Sequence, residues 1–322
     1  MSTPPKKYRL LTRSDFDGLV CAILLKEMNI LGDIKFVHPK DMQDGSVDVT
    51  ENDILTNLPY AAECHLCFDH HASEEIRNEG ETAENYILRA GVDSAARVVY
   101  DYYGGAEQFS AISEEMMAAV DNADSAKFDH DDILNPQRWV LLSFLMDART
   151  GLGRFHEFRL SNYDLMMDLI EFCRDHNIAE ILAHPDVQER VDVYMQHSDK
   201  AVEQIRRCST VHDNLVVLDL RDEETIFATN RFKIYSLFPE CSISIHVLWG
   251  KQRQNTVFTI GKSILDRSCP TNIGELCLEY GGGGHPAAGT CQVQHEDAER
   301  SLDEIIARIN RDAGVGAVPA PA

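Results

Sequence analysis

No apolar run in this chain approaches the ~18 residues that a bilayer-spanning helix needs, so no transmembrane segment is expected. Positive charge is also short: 30 Lys and Arg stand against 53 Asp and Glu, a formal charge of −23 at pH 7. That balance excludes duplex nucleic acid as the preferred ligand, because binding a long polyanion requires a basic footprint that gains from counterion release. A small phosphorylated ligand needs only a local basic pocket and remains open. A cysteine framework is missing as well. The nine cysteines are odd in number and follow no repeating spacing, which describes reduced thiols rather than a disulfide scaffold. Cys64 and Cys67 form the one CxxC and have no second pair to complete a zinc site, so they read as buried strand residues. Met1 to Tyr8 lacks the apolar core of a secretion signal, and the expected location is the cytoplasm.

What is present is an ordinary globular balance, 44% hydrophobic and 26% charged over 322 residues, long enough for two cores. Short apolar runs at Tyr8 to Thr12, Ile34 to Val37, Asp53 to Pro59 and Cys64 to Phe68 read as strands, with an apolar-rich helix from Leu19 to Asn29 carrying Leu19, Ile23 and Met28 roughly along one face. Strands alternating with helices imply a mainly parallel α/β sheet. Helices are then expected at Val92 to Tyr103, from Ser113, at Gln137 to Met146 and at Tyr163 to His176. Pro185 to Arg207 is a long, largely polar helix that suits a bridge between domains. Beyond it, strands at Leu215 to Leu220, Cys241 to Leu248 and Thr256 to Ile260, with helices near Asn230 to Leu237 and Glu296 to Ile309, predict a smaller mixed α/β domain with antiparallel strands. The expected organisation is residues 1–190 as an N-terminal domain, 191–209 as a linker helix, 210–312 as a C-terminal domain, and 313–322 as a disordered tail.

Three stretches carry chemistry. Asp15 and Asp17, in Asp15-Phe16-Asp17-Gly18, sit two apart in a strand-to-helix turn, which lets two carboxylates face one point and suits a hard divalent cation. The plainer reading is that one of them caps the helix. Asp69-His70-His71 follows the fourth strand, where α/β sheets collect ligands; here too Asp69 as a cap for a helix near Ser73 is the plainer alternative. Further on, Asp121 and Asp124 arrive at a helix end, while Asp129-His130-Asp131-Asp132 reads as a solvated acidic turn. In the C-terminal half, four consecutive glycines, Gly281 to Gly284, precede His285. So many glycines are entropically costly, and unhindered backbone N–H groups beside a histidine suggest a cradle for phosphate. Lys251, Arg253, Lys262 and Arg267, opposed by Asp266 alone, form a local basic strip in the same half.

Asp-x-Asp-Gly, then Asp-His-His, then Gly-Gly-Gly-Gly-His, in that order, resembles the DHH phosphoesterase superfamily with its DHH-associated C-terminal domain. The resemblance extends from about Tyr8 to about Ile309 and takes in RecJ-like nucleases, nanoRNase-like oligoribonucleases, cyclic-dinucleotide phosphodiesterases and exopolyphosphatase-related chains. It implies two domains facing across a cleft, the N-terminal one catalytic and binding Mn²⁺, one or two ions, with Mg²⁺, Co²⁺ or Fe²⁺ as substitutes. Two ions of this kind generate the attacking hydroxide and clamp the phosphate. By position, Asp15 and Asp17 match the first motif's ligands. Asp69, His70 and His71 match the catalytic third motif, with His70 as direct ligand and His71 beside the phosphate. Asp124 matches the fourth, with Asp121 as competitor. Gly282, Gly283, Gly284 and His285 match the substrate loop, to which Arg253, Lys262 and Arg267 would add charge.

Two positions depart from that pattern. Leu11 and Thr12 stand where the first motif usually has a histidine, and Asn57 stands where the second motif has a bridging aspartate. The first metal site then keeps Asp15 alone, while the second can be built from Asp17, His70 and Asp124, with Asn57 beside them. Three explanations follow: one tightly held ion, replacement ligands such as His65 or His130, or binding without hydrolysis. The intact motifs favour an active, atypical enzyme acting on 5′-phosphorylated dinucleotides or very short single-stranded oligonucleotides. Polyphosphate hydrolysis and non-catalytic nucleotide binding are the alternatives. A homodimer remains open.

Overall fold

The computed structural model describes residues 6–71, 83–155 and 157–314. The position near Ser73 where a helix was expected and residues 315–322 of the tail lie outside them. Two compact units emerge, one formed by Met1–Phe128 with Pro136–Met195 and the other by Asp129–Asn135 with Gln196–Ala322. Among the described residues, no helix is long and apolar enough to cross a membrane.

The first unit is built on a five-stranded sheet, β1 (Tyr8–Thr12), β2 (Leu31–Phe36), β3 (Asp53–Thr56), β4 (Leu66–Asp69) and β5 (Tyr86–Leu88), in the order β2-β1-β3-β4-β5. Every pair in it is parallel. Sequence reading anticipated four of these strands and passed over β5, whose three residues are too few to show a period. The order reverses between β2 and β3, on either side of β1, so the crevice outside the carboxyl ends of β1 and β3 is the topological switch point of the sheet.

Helix α1 (Phe16–Glu27) follows β1 and is buried without interruption from Phe16 to Leu25. The expected one-sided stripe is therefore an all-round apolar surface, as suits a helix enclosed by other elements. Its neighbours include α3 (Ala95–Tyr102), α4 (Glu114–Asp124) and a later helix at Asn162–Asp175; α2 (Pro39–Gln43) is a short turn after β2. Gly18 is required where α1 begins, since a Cβ there would lie 2.0 Å from the Arg13 carbonyl oxygen.

In chain order the remaining helices are α5 (His130–Leu134), α6 (Arg138–Met146), α7 (Asn162–Asp175), α8 (Ile178–Leu182), α9 (Pro185–Cys208), α10 (Lys233–Leu237), α11 (Ile273–Glu279) and α12 (Ala298–Asp312). Asp129 to Asp132 is solvated as expected, with Asp129, His130 and Asp131 exposed, but it opens a helix rather than forming a turn. Asp129 caps α5 in a reciprocal capping box with Asp132, which converts an acidic run into a helix start. The division between the units falls within α9, after Met195.

The second unit holds a six-stranded sheet in the order β10-β11-β9-β8-β7-β6, comprising β6 (Ser209–His212), β7 (Leu215–Asp219), β8 (Ile243–Trp249), β9 (Thr256–Lys262), β10 (Gly283–His285) and β11 (Ala288–Val293). The antiparallel expectation fails at one place: β7 and β8 are parallel, because α10 lies in the connection between them and such a crossover returns the chain in the same direction. All nine cysteines are free thiols, with Cys64 and Cys67 both buried.

Candidate active site

Three strand ends converge on one point of the first unit. After β1, Asp15 caps α1 by accepting the Gly18 N–H at 3.0 Å, and Asp17 turns inward, 2% exposed. Its carboxylate accepts the backbone N–H groups of Ala95 at 3.2 Å and Ala96 at 2.8 Å, so it rests on the amino end of α3, where unpaired donors and the helix dipole favour negative charge. After β4, His70 places Nδ1 3.0 Å from the Val92 carbonyl oxygen. That contact assigns the proton to Nδ1 and aims Nε2 at Asp124, 2.8 Å away. A backbone carbonyl holding one ring nitrogen while the other faces inward is the arrangement of a metal-ligating histidine. One ligand atom each from Asp17, His70 and Asp124 lie within 4.8 Å of one another.

Asn57 follows β3 at the switch point. It adopts a left-handed backbone (φ 54°), which asparagine tolerates better than most residues. Its side chain is 2% exposed, yet neither Oδ1 nor Nδ2 has a hydrogen-bond partner among the described residues. An unsatisfied buried polar group costs about 1–3 kcal/mol, and this one lies at the switch point, where α/β sheets collect ligands. Beside it Thr12 is fully buried, donating to the Thr56 carbonyl at 3.2 Å and accepting from the Thr56 hydroxyl at 2.7 Å. Leu11 packs into the core with Leu55 and Leu58. Neither residue offers a ligand.

The charges reflect this crowding. Burial, then the charge of Asp124, pushes Asp17 up to about 8. Burial opposes a charge on His70, but the hydrogen bond and charge of Asp124, with that of Asp17, outweigh it and push His70 up to about 9. Asp124 stays below the usual carboxylate range, because His70 more than offsets its burial. Burial raises Asp15 despite the nearby Arg13. At neutral pH the cluster therefore holds protons in a space that a divalent cation suits better.

Asp69 has a different part. It is 1% exposed and accepts the backbone N–H of His70 at 2.8 Å, that of His71 at 3.3 Å and His71 Nδ1 at 2.7 Å. It thereby orients His71 and leaves the ring's Nε2 on the far side. Asp121 does not compete with Asp124. It accepts from Ser94 Oγ at 2.7 Å and from Arg97 through Nε at 2.9 Å and Nη2 at 2.7 Å, bracing the start of α3 on which Asp17 rests. Asp15 lies outside the compact trio, with Arg13 Nε 3.1 Å from it. The proposed replacement ligands are not in the trio either. His65 stacks on Tyr8 at 4.0 Å, before β4 and at the opposite end of that strand from His70, and His130 is exposed in the second unit.

Two basic residues escaped sequence reading. Arg13 and Arg149 both act on this carboxylate group, Arg13 on Asp15 and Asp124 and Arg149 on the same two. Arg149 is held by Asp147, which accepts its backbone N–H at 2.8 Å and its Nε at 2.7 Å. Neither arginine has a motif around it, so only the fold reveals them.

In the second unit the glycine run is a hairpin rather than an open loop. Gly283 pairs with Thr290, Gly284 with Gly289 and His285 with Ala288. The N–H groups of Gly281 and Gly282 donate to the carbonyls of Leu278 and Cys277 that end α11, so those two do not contribute to an anion cradle. A Cβ on Gly282 would lie 2.1 Å from the Thr290 carbonyl oxygen and one on Gly284 2.3 Å from that of Ala288, whereas Gly283 has nothing within 4 Å. Close packing thus accounts for two of the glycines and a positive φ of 73° for Gly281. Lys262 does lie near His285, its N–H donating to the Ala287 carbonyl at 2.9 Å. Arg253 does not, because β9 separates it from Lys262 by roughly 20 Å at about 3.3 Å per residue; it lies instead over Trp249, 5.9 Å from the ring. The expected basic strip is therefore divided between the two ends of one strand. Arg267 is exposed in the segment after β9.

No family model and no curated protein sequence matches the chain. Among solved structures, a pGpG-specific phosphodiesterase, PggH from Vibrio cholerae, is 57% identical, with 95% of this chain and 100% of that one covered at a TM-score of 0.82. The chain belongs to the DHH phosphoesterase superfamily. RecJ from Thermus thermophilus, solved in complex with Mn²⁺, shares the fold at 12% identity and a TM-score of 0.51, covering 98% of this chain and 53% of that one.

Proposed function

We propose that this member of the superfamily is a cation-dependent phosphodiesterase that hydrolyses 5′-phosphorylated dinucleotides, with pGpG, a linear product of a cyclic dinucleotide, as its substrate. The observation that carries this reading is the convergence of Asp17, His70 and Asp124 in a chain 57% identical, end to end, to a pGpG-specific phosphodiesterase. These three residues, with the unsatisfied amide of Asn57, fit one divalent cation, and Mn²⁺ is the ion proposed. Asp15 and Thr12 are otherwise engaged, which supports one tightly held ion rather than two.

When bound, the cation supplies Lewis acidity that lowers the barrier to attack of water on phosphorus. The protein supplies the rest. The amino end of α3 and the Val92 carbonyl fix the ligands before substrate arrives, so little reorganisation accompanies reaction. Asp69 holds His71 so that Nε2 is presented for holding or delivering a proton at a phosphate or leaving oxygen. Arg13 and Arg149 place positive charge beside the carboxylates, where a phosphate's charge is also accommodated. In the second unit, Lys262 and His285 are the basic pair proposed for a terminal phosphate. Cytoplasmic residence is consistent with nine free thiols.

The test is steady-state turnover with Mn²⁺ on pGpG, a longer 5′-phosphorylated oligonucleotide and polyphosphate. The proposal expects pGpG to be cleaved fastest. Preferred cleavage of polyphosphate, or tight binding of pGpG without turnover, contradicts it.

A further inference from the structure

Two-metal hydrolysis of a phosphodiester uses cations about 3.5–4 Å apart, which stabilise the attacking and the leaving oxygen between them. Among the described residues the first unit gathers ligands for one ion, at Asp17, His70 and Asp124. Asp15 is near enough to this trio for its charge to act on Asp17 and for that of Asp124 to act on it. The group that engages Asp15 is already a cation. Arg13 Nε lies 3.1 Å from Asp15 Oδ2, while Oδ1 accepts the Gly18 N–H at 3.0 Å. A second divalent ion drawn to this carboxylate would meet a guanidinium on the same oxygen and be repelled by it.

The sheet fixes where that guanidinium stands. Thr12 pairs with Thr56, and Thr56 with Phe68. Arg13 and Asn57 therefore leave neighbouring strands, ~4.8 Å apart, at the level of Asp69 and immediately before that of His70. The start of α1 is packed on the Arg13 backbone, since a Cβ on Gly18 would lie 2.0 Å from its carbonyl oxygen. The Arg13 side chain is 32% exposed and spends one donor on Asp15, which leaves its terminal nitrogens for a ligand. Arg149 is held in the same way, by Nε on Asp147 at 2.7 Å, and its charge acts on Asp15 and Asp124. A guanidinium stays charged at any working pH and offers paired donors that match a phosphate.

We propose that Arg13, anchored by Asp15 and backed by Arg149, takes the place of a second metal ion. Its terminal N–H groups hold a non-bridging oxygen of the scissile phosphate and offset the charge that builds there during hydrolysis. The guanidinium acts as a fixed cation and keeps its protons. Asn57 fits the same exchange. A guanidinium brings one positive charge where a divalent ion brings two, and a neutral amide brings none where a carboxylate brings one negative charge, so the net charge of the site is the same. The assignment rests on the phosphodiesterase reading for the identity of the phosphate, but not for the number of ions.

Two variants of the full chain test it. Arg13→Ala should keep one Mn²⁺ per chain by elemental analysis and lose about 100–1,000-fold in kcat on pGpG, the cost of removing one donor to a developing oxyanion. Added guanidinium chloride should restore part of that loss, and Arg13→Lys, a point charge without the planar fork, should recover little of it. Arg13→His combined with Asn57→Asp supplies a ligand and the missing negative charge together. That double variant should bind two Mn²⁺ per chain and show the electron paramagnetic resonance spectrum of an exchange-coupled pair. Near-normal turnover in Arg13→Ala, loss of its Mn²⁺, or a single Mn²⁺ in a double variant that melts cooperatively overturns the proposal. If the unaltered chain cleaves no pGpG while the double variant still gains the second ion, the phosphodiesterase reading fails and the exchange of ion for guanidinium stands.

Discussion

The two stretches that look most like chemistry in the sequence behave differently in the structure. At the strand ends of the first unit, polar groups are buried without full compensation: Asn57 has no partner for either amide atom among the described residues, and Asp17 and His70 are displaced to about 8 and about 9. In the glycine hairpin of the second unit the donors of Gly281 and Gly282 are bonded to α11, and Gly282 and Gly284 are packed against β11. At the strand ends the polar groups stay open to a ligand, whereas in the hairpin the donors are used up and the glycines serve close packing.

The largest expected effect lies at the first region. His70→Ala or Asp17→Asn should reduce pGpG turnover by more than the ~100-fold that loss of an outer partner causes, together with loss of bound Mn²⁺; near-normal turnover in either would break the contrast. Asp69→Asn, whose Oδ1 can still accept the His70 backbone N–H but which weakens the hold on the His71 ring, should cost about 10–100-fold in kcat while Mn²⁺ is retained. At the hairpin the effect should fall on stability instead. Gly282→Ala should destabilise the fold by about 1–3 kcal/mol through overpacking, whereas Gly283→Ala should stay within about 0.5 kcal/mol, as thermal melts of the two variants would show. A smaller effect concerns protons. With Asp17 at about 8 and His70 at about 9, at least one proton must leave when Mn²⁺ binds at pH 7, so apparent affinity should rise with pH up to about 9. Calorimetry in buffers of different ionisation enthalpy measures the release, and a buffer-independent heat would contradict it.

Much of the first region was legible because its residues obey local rules. Asp15 and Asp17 follow a strand and open a helix, and Asp69 to His71 follow another, so parallel topology alone gathers them at one edge. Asp124 followed from its place at a helix end and from family resemblance. Separating it from Asp121 required the contacts of Ser94 and Arg97, which lie 27 and 24 residues away in sequence. Arg13 and Arg149 gave no sequence signal, because their roles arise from tertiary proximity. The reverse error occurred at Arg253 and Lys262: near neighbours in sequence, they sit at opposite ends of β9. Parallel pairing of β7 with β8 was likewise hidden, since apolar alternation does not encode strand direction.

The central claim is that Asp17, His70 and Asp124 hold one catalytic divalent ion. Elemental analysis of the full chain purified without chelator, beside His70→Ala prepared identically, tests it most directly. The account predicts one Mn²⁺ per chain in the first and none in the second; two ions per chain, or an ion retained without His70, would contradict it.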